Sequence, residues 1–179
     1  MAIVETNRLI LRELIETDIE AVHEYASDPV NSKYVPWGPN TLEETEDFVR
    51  LYIKYQNQRD RVDFELAVIE KCSGKLIGIC GLHISDKENN GGWIGYCINK
   101  PYWGKGYGTE IAENLLKLGF RKFELHRIYA TCHPSNVASE RILQKIGMKK
   151  EGYMRKDVRF KGGWRDSLLY AILEDEYYH

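Results

Sequence analysis

Cysteine is scarce in this chain and unpaired. Cys72, Cys80, Cys97 and Cys132 are scattered, with no CxxC pair among them. Three of the four sit inside apolar strand-like runs, where a cysteine behaves as a small buried hydrophobe, so reduced structural thiols are expected, and no metal. An excess of one charge is missing too: 25 Lys and Arg stand against 27 Asp and Glu. Without a global basic field, nucleic acid is not an expected partner. No apolar run approaches the ~20 residues of a membrane helix, and the N-terminus carries no signal-peptide core. A cytoplasmic protein without a membrane partner is the expectation. Repeats, low-complexity tracts and linkers are also absent, so residues 1–179 read as a single domain.

Proline is scarce but clustered: three of five, Pro29, Pro36 and Pro39, fall within SDPVNSKYVPWGPN. They rule out a continuous helix there and predict an irregular loop carrying Tyr34 and Trp37, equally suited to wall a substrate site or to connect two helices. Before it, RLILREL (Arg8 to Leu14) reads as a first strand, and Thr17 with Glu20 forms a T-x-x-E capping box opening a helix through about Ala26. The same signature at Thr41 and Glu44 opens a second helix to about Gln58. FELAVIE, KLIGICGLHIS and WIGYCI then read as three strands of an antiparallel meander. After a glycine-rich stretch come a helix (about Glu110 to Phe123), the strand RIYATC, a helix from Val137 to Ile146, and two terminal strands, Lys149 to Phe160 and Trp164 to Leu173. The acidic end, EDEYYH, is expected to finish a strand. The sum is an α+β or mixed α/β sheet with helices on its faces.

The chain is organised around WGKGYGTE, Trp103 to Glu110, which puts Gly104, Gly106 and Gly108 at alternate positions between an apolar strand and a helix. Glycines let consecutive backbone N–H groups turn toward one point, and the helix start adds unpaired N–H groups and the positive end of its dipole. The expected ligand is an anion such as a pyrophosphate. A P-loop would need G-x-x-x-x-G-K-[ST], which the chain lacks, and the dinucleotide fingerprint needs G-x-G-x-x-G where this loop runs G-x-G-x-G after a meander.

IGYCINKPYWGKGYGTEIAENLLKLGF followed by RIYATCHPSNVASERILQKIGMKKEGYMR resembles the acetyl-CoA-binding core of the GNAT superfamily of N-acetyltransferases, nearest to the branch of ribosomal-protein N-terminal acetyltransferases. RLILREL and the hairpin ending in IGICGL match that branch too. The resemblance implies a mostly antiparallel, seven-stranded sheet flanked by about four helices, with a strand splayed at the acetyl-CoA site. The family's [RQ]-x-x-G-x-[GA] loop falls on Trp103, Gly104, Lys105, Gly106, Tyr107 and Gly108, with N–H groups through Thr109 implied to hold the CoA pyrophosphate. Trp103 departs from Arg or Gln at a contact made mainly by backbone. Pairing with the pantetheine arm falls on Cys97, Ile98 and Asn99, and Asn136 matches a pantetheine-touching asparagine that also suits a helix N-cap.

The implied chemistry is direct attack of an amine on the thioester, with no protein nucleophile. Relatives with N-x-x-A-x-x-x-Y use the tyrosine as acid; here that position is Leu143, and Ser139 stands at the alanine position as the candidate acid. The implied oxyanion donor is the backbone N–H of Cys97. For the base, family register falls on Val158 with Asp157 beside it, while Glu65 and His83 on the hairpin are alternatives; Glu110 is read as complementing the helix dipole. An N-terminal α-amine (pKa ~8) suits a site without an obvious base better than a lysine ammonium (~10.4), which must give up roughly 4 kcal/mol. The acceptor is therefore expected to be a primary amine, with the N-terminus of a (ribosomal) protein first, and a polyamine, amino acid or aminoglycoside as the alternative. A non-catalytic acyl-CoA-binding module is the reading from another class. The sequence leaves the assembly open, a homodimer included.

Overall fold

The computed structural model describes residues 2–160 and 162–178. One sheet of eight strands runs through it in the order β1-β2-β3-β4-β5-β6-β8-β7. The strands are β1 (Ala2–Glu5), β2 (Leu9–Glu13), β3 (Asp63–Glu70), β4 (Leu76–Asp86), β5 (Gly91–Ile98), β6 (Arg127–Cys132), β7 (Lys149–Phe160) and β8 (Gly163–Leu173). Every neighbouring pair is antiparallel except β5 and β6. The helices are α1 (Ile19–Ala26), α2 (Leu42–Tyr55), α3 (Tyr107–Lys122), α4 (Val137–Lys145) and the short α5 (Glu174–Tyr178).

Strand alternation sends the two faces of the meander to different layers. Leu66, Val68, Cys80, Leu82 and Ile94 pack with Ile111, Leu115 and Leu116 of α3 and Leu143 of α4. Ala67 and Ile79 face the other way, onto Val22 and Tyr25 of α1 and Val49 of α2. The period of two thus builds both cores from one set of strands.

Three expectations are corrected. The sheet has eight strands rather than seven, because the four-residue β1 pairs antiparallel with β2. The C-terminal residues from Glu174 turn into helix instead of extending the last strand, with Tyr177 stacked on Phe120 at 4.9 Å between ring centroids. The Thr17–Glu20 capping box does not form. Asp18 does that work, its carboxylate accepting the Ile15 N–H at 2.9 Å and a fork of two Arg12 hydrogen bonds at 2.7 Å each. The second box does form: Thr41 accepts from the Glu44 N–H, and Glu44 accepts from the Thr41 N–H at 2.7 Å.

Gly78 on β4 faces the β5 backbone with no room for a side chain. A Cβ there would lie 2.2 Å from the Cys97 carbonyl oxygen and 2.9 Å from the Ile98 Cα, both backbone atoms of β5. Gly78→Ala must push β5 off β4, and overpacking of this kind costs about 1–3 kcal/mol. A lowered denaturation midpoint in urea, with an unchanged slope, is the expected result.

Candidate active site

β5 and β6 are paired only from Gly91↔Arg127 to Trp93↔Tyr129. Past that point β5 stays with β4 through Ile98, and β6 stays with β8 through Cys132, so the two strands part and a wedge opens. Asn99 donates from its backbone to Ile77 O at 2.8 Å, and the two-residue alternation of an antiparallel ladder then turns the Cys97 N–H toward Ile79. The outward groups belong to Tyr96 and Ile98. Consistent with this, Ile98 O accepts no strand partner but the Asn31 Nδ2 at 2.8 Å and the Trp103 Nε1 at 2.6 Å.

This parity corrects two of the expected roles. The Cys97 N–H is committed to the sheet and is not free to meet an oxyanion; one position either way, the N–H groups of Tyr96 and Ile98 face the wedge. Asn99 is buried on the inner side, its amide donating to Glu24 Oε1 at 2.9 Å. It does not line the wedge. The Cys97 thiol is pushed up to about 12 by burial, which agrees with a structural role.

Beyond Trp103 the glycine loop turns as its sequence requires. Gly104 and Gly106 take positive φ of 75° and 80°, and Gly106 caps α3. Among the described residues the backbone N–H groups from Gly104 to Thr109 donate to no backbone acceptor, while that of Glu110 bonds Gly106 O at 3.2 Å. The loop therefore presents a cluster of free donors at a helix start, a fit for a phosphate-bearing donor substrate. Arg8 braces it from behind, donating to Lys105 O at 2.9 Å and to Glu110 Oε2 at 2.7 Å, with its guanidinium 4.6 Å from the Tyr107 ring centroid. Glu110 is thus tied to Arg8 and to Thr6, beyond the dipole role expected of it. The Lys105 ammonium lies over the Tyr102 ring, so Lys105 adds backbone to the loop, while the Tyr107 hydroxyl is turned inward onto Glu70.

Two cavities of about 500 and 510 Å³ meet at the wedge, sharing Tyr34, Val35, Tyr96, Cys97, Asn136 and Ser139. One runs past Ile98 and Trp103 to the glycine loop and Thr109. The other runs under the proline-rich loop, where Tyr34, Pro36 and Trp37 wall it, to Glu65, His83 and Asp157. Asn136 caps α4, its side chain accepting the Ser139 N–H at 3.1 Å. Ser139 Oγ lies 3.2 Å from the Tyr96 hydroxyl, a partner the helix-based motif did not foresee. Burial keeps that tyrosine protonated by pushing its pKa well above the ordinary value.

Sequence reasoning left Glu65 and His83 as weak alternatives; register makes them a unit. Asp63, His83 and Trp93 form one cross-strand row, and Glu65, Gly81 and Gly95 form the next on the same face. His83 Nδ1 is 2.8 Å from Asp63 Oδ1, and its Nε2 is 3.2 Å from Glu65 Oε2. The imidazole stacks on Trp93 with centroids 3.9 Å apart. Gly81 makes this possible, since a Cβ would stand 2.3 Å from Glu65 Oε2 and 2.5 Å from His83 Nε2. Burial raises the Glu65 pKa, against the pull of His83. Burial alone would lower that of His83, but the carboxylates of Glu65 and Asp63 outweigh it and the net direction is up. Asp63 is over a third exposed while His83 is buried, so the row links the cavity to solvent.

A cradle of free backbone donors in one cavity, a carboxylate in the other and a split sheet between them suit a group-transfer enzyme. The chain matches the acetyltransferase (GNAT) domain over residues 8–149. It is 37% identical over 97% of its length to the uncharacterized N-acetyltransferase YnaD of Bacillus subtilis, covering 98% of that protein. It is also 25% identical to the [ribosomal protein uS5]-alanine N-acetyltransferase of Escherichia coli, over 93% of this chain and 88% of the relative. Its fold is that of the spermidine N-acetyltransferase of Vibrio cholerae solved with CoA and spermine, with a TM-score of 0.83 at 22% identity, covering 97% of this chain and all of that one. The protein belongs to the GNAT family and is an N-acetyltransferase.

Gly106→Asp places a side chain at a positive-φ position and a like charge against the cradle. CoA binding, read by calorimetry, is expected to disappear while the variant keeps its fold by circular dichroism; retained affinity would move the donor site elsewhere.

Proposed function

We propose that the enzyme transfers the acetyl group of acetyl-CoA directly to a primary amine, with Glu65 as the base. The observation that carries this reading is the buried Glu65 carboxylate in the acceptor cavity, its far side backed by His83 and Asp63. An incoming ammonium meets an acid whose proton affinity burial has raised, inside a wall that includes Trp37, Phe48, Tyr52 and Trp93. Aromatic faces and a carboxylate are what attract an ammonium group. Glu65 takes the proton, and the His83–Asp63 pair passes it toward solvent.

Acetyl-CoA supplies the activated thioester, its phosphates held by the backbone from Gly104 to Thr109. The N–H groups of Tyr96 and Ile98 stand where negative charge develops on the carbonyl oxygen, as fixed donors that need no reorganisation. Ser139, with the Tyr96 hydroxyl beside it, is placed to protonate the departing thiolate. Tyr96 on β5 thereby stands in for the tyrosine that α4 lacks at Leu143. Asp157 lines the same cavity and is assigned a supporting role. A buried carboxylate also removes the reason to confine the acceptor to α-amines: a more basic amine can lose its proton here. The acceptor class is a primary amine of a peptide or a small molecule, and a purely binding role fits poorly with so costly a buried acid.

Glu65→Gln is expected to lower kcat by about 10²–10⁴-fold, the usual worth of a positioned base. The sign of the pH effect follows from the raised pKa. Wild-type kcat falls as pH drops through a value above the ordinary carboxylate range, and that acidic limb is absent from the Gln variant. A limb that survives unchanged in the variant rejects Glu65 as the base.

Ser139→Ala is expected to cost about 10²-fold in kcat for single-turnover acetyl transfer. Turnover equal to wild type would reduce Ser139 to a member of the α4 cap.

A further inference from the structure

We infer that the acceptor carries an anionic group as well as its amine, and that Arg165, which lines the acceptor cavity, holds that anion. This rests on the reading of that cavity as the amine site. Arg165 lies on β8, opposite Val158 of β7, beyond the wedge from Glu65. Its Nη1 donates to the Tyr34 carbonyl at 2.6 Å and so ties down the aromatic loop, but its Nε is buried without an acceptor. Among the described residues no carboxylate comes within ion-pairing distance of it. Asp157 is the acid whose field reaches it, from farther off. Burial therefore acts on a guanidinium with no close counter-ion and draws its pKa down.

The surroundings do not supply the missing charge. His133, with its ring 5.5 Å from that of Tyr34, has its pKa lowered by burial and by Arg165. Lys33 adds a second cation over the Tyr34 ring. Asp166, the next acid on β8, is occupied by the Tyr153 hydroxyl and the Lys156 N–H. A half-buried cation whose Nε has no acceptor costs stability, and an anion brought by the acceptor removes that cost. The guanidinium fork suits a carboxylate, which it can bind through two parallel hydrogen bonds.

Geometry also limits where the anion sits. In the strand order β3-β4-β5 and then β6-β8, Glu65 and Arg165 lie on strands either side of the wedge. With ~4.8 Å between paired strands and β5 parted from β6, Arg165 is at least about 10 Å from β5, where the amine reacts. The anion is thus several bonds from the amine, as in an ω-amino acid or in a peptide with an acidic side chain near its amino terminus. Polyamines, whose remote charge is positive, are the acceptors this corner rejects.

The test compares matched acceptors: 5-aminopentanoate against pentylamine and cadaverine, and Ala-Glu-Ala amide against Ala-Gln-Ala amide. Wild type is expected to favour the anionic member of at least one set by ~10-fold or more in kcat/KM, and which set it is separates a small acid from a peptide. In Arg165→Gln that ratio is expected to fall to about one, while Arg165→Lys keeps part of it. A uniform loss on all acceptors, the ratio intact, would mean that Arg165 only anchors the Tyr34 loop. Equal use of the pairs, or preference for cadaverine, by wild type overturns the proposal. The same compounds titrated calorimetrically into the CoA-bound protein read the preference without turnover. Failure of every amine to be acetylated then counts against acetyl transfer alone, and equal binding of the pairs counts against Arg165.

Discussion

The parting of β5 from β6 is the constraint on which the rest of this structure depends. Each strand keeps its other neighbour, so the separation strips partners from the facing edges of β5 and β6 alone. Unpaired backbone groups at the centre of a sheet must find acceptors and donors elsewhere. Ile98 O finds two, in Asn31 and Trp103, at the end of the wedge nearest the glycine loop. The N–H groups of Tyr96 and Ile98 stay open toward the space between the strands. The wedge is therefore lined by polar backbone and stays open because α4 and the proline-rich loop bridge its two sides, through Asn136, Ser139 and Tyr34.

Burying Glu65 works against folding unless its charge is compensated or its proton retained. Gly81 leaves the space above β4 that the acid and the imidazole occupy, and His83 shares the acid's charge. Asp63 then balances His83 at the surface. A side chain on Gly81 would close that space, so the glycine is as much a part of the site as the acid. This is a case in which a small residue contributes by what it leaves empty.

How much of this could be read from the sequence depends on the range of the interaction. Hairpin strands, RIYATC and the glycine cradle are local patterns, and they emerged within a few residues of where they lie. The strand β1 is too short to carry a pattern, and the last acidic residues curl into α5 because Tyr177 finds Phe120, a contact no local window contains. Thr17 lost its capping role to Asp18 because Arg12, on the preceding strand, holds that carboxylate in place. The error at Cys97 and Asn99 has one cause. Their residue types fit the family, but the parity of the β4–β5 ladder decides which backbone groups face the wedge, and parity is set by pairing rather than by sequence. Glu65 was undervalued for the same reason, since FELAVIE alone does not reveal that His83 and Gly81 will stand beside it.

The two halves of the site are made of different material, and this governs what likeness to relatives can teach. The donor half is mostly main chain: the cradle from Gly104 to Thr109, the outward N–H groups of β5 and the start of α4. That half depends on the glycines and the wedge more than on particular side chains. The proposed acceptor cavity is lined by side chains, with Glu65 and His83 on the meander, aromatic rings on the proline-rich loop and α2, and Arg165 on the last hairpin. These come from segments far apart in the chain. Membership of the family therefore fixes the kind of reaction, while the acceptor follows from which charges this particular cavity leaves uncompensated.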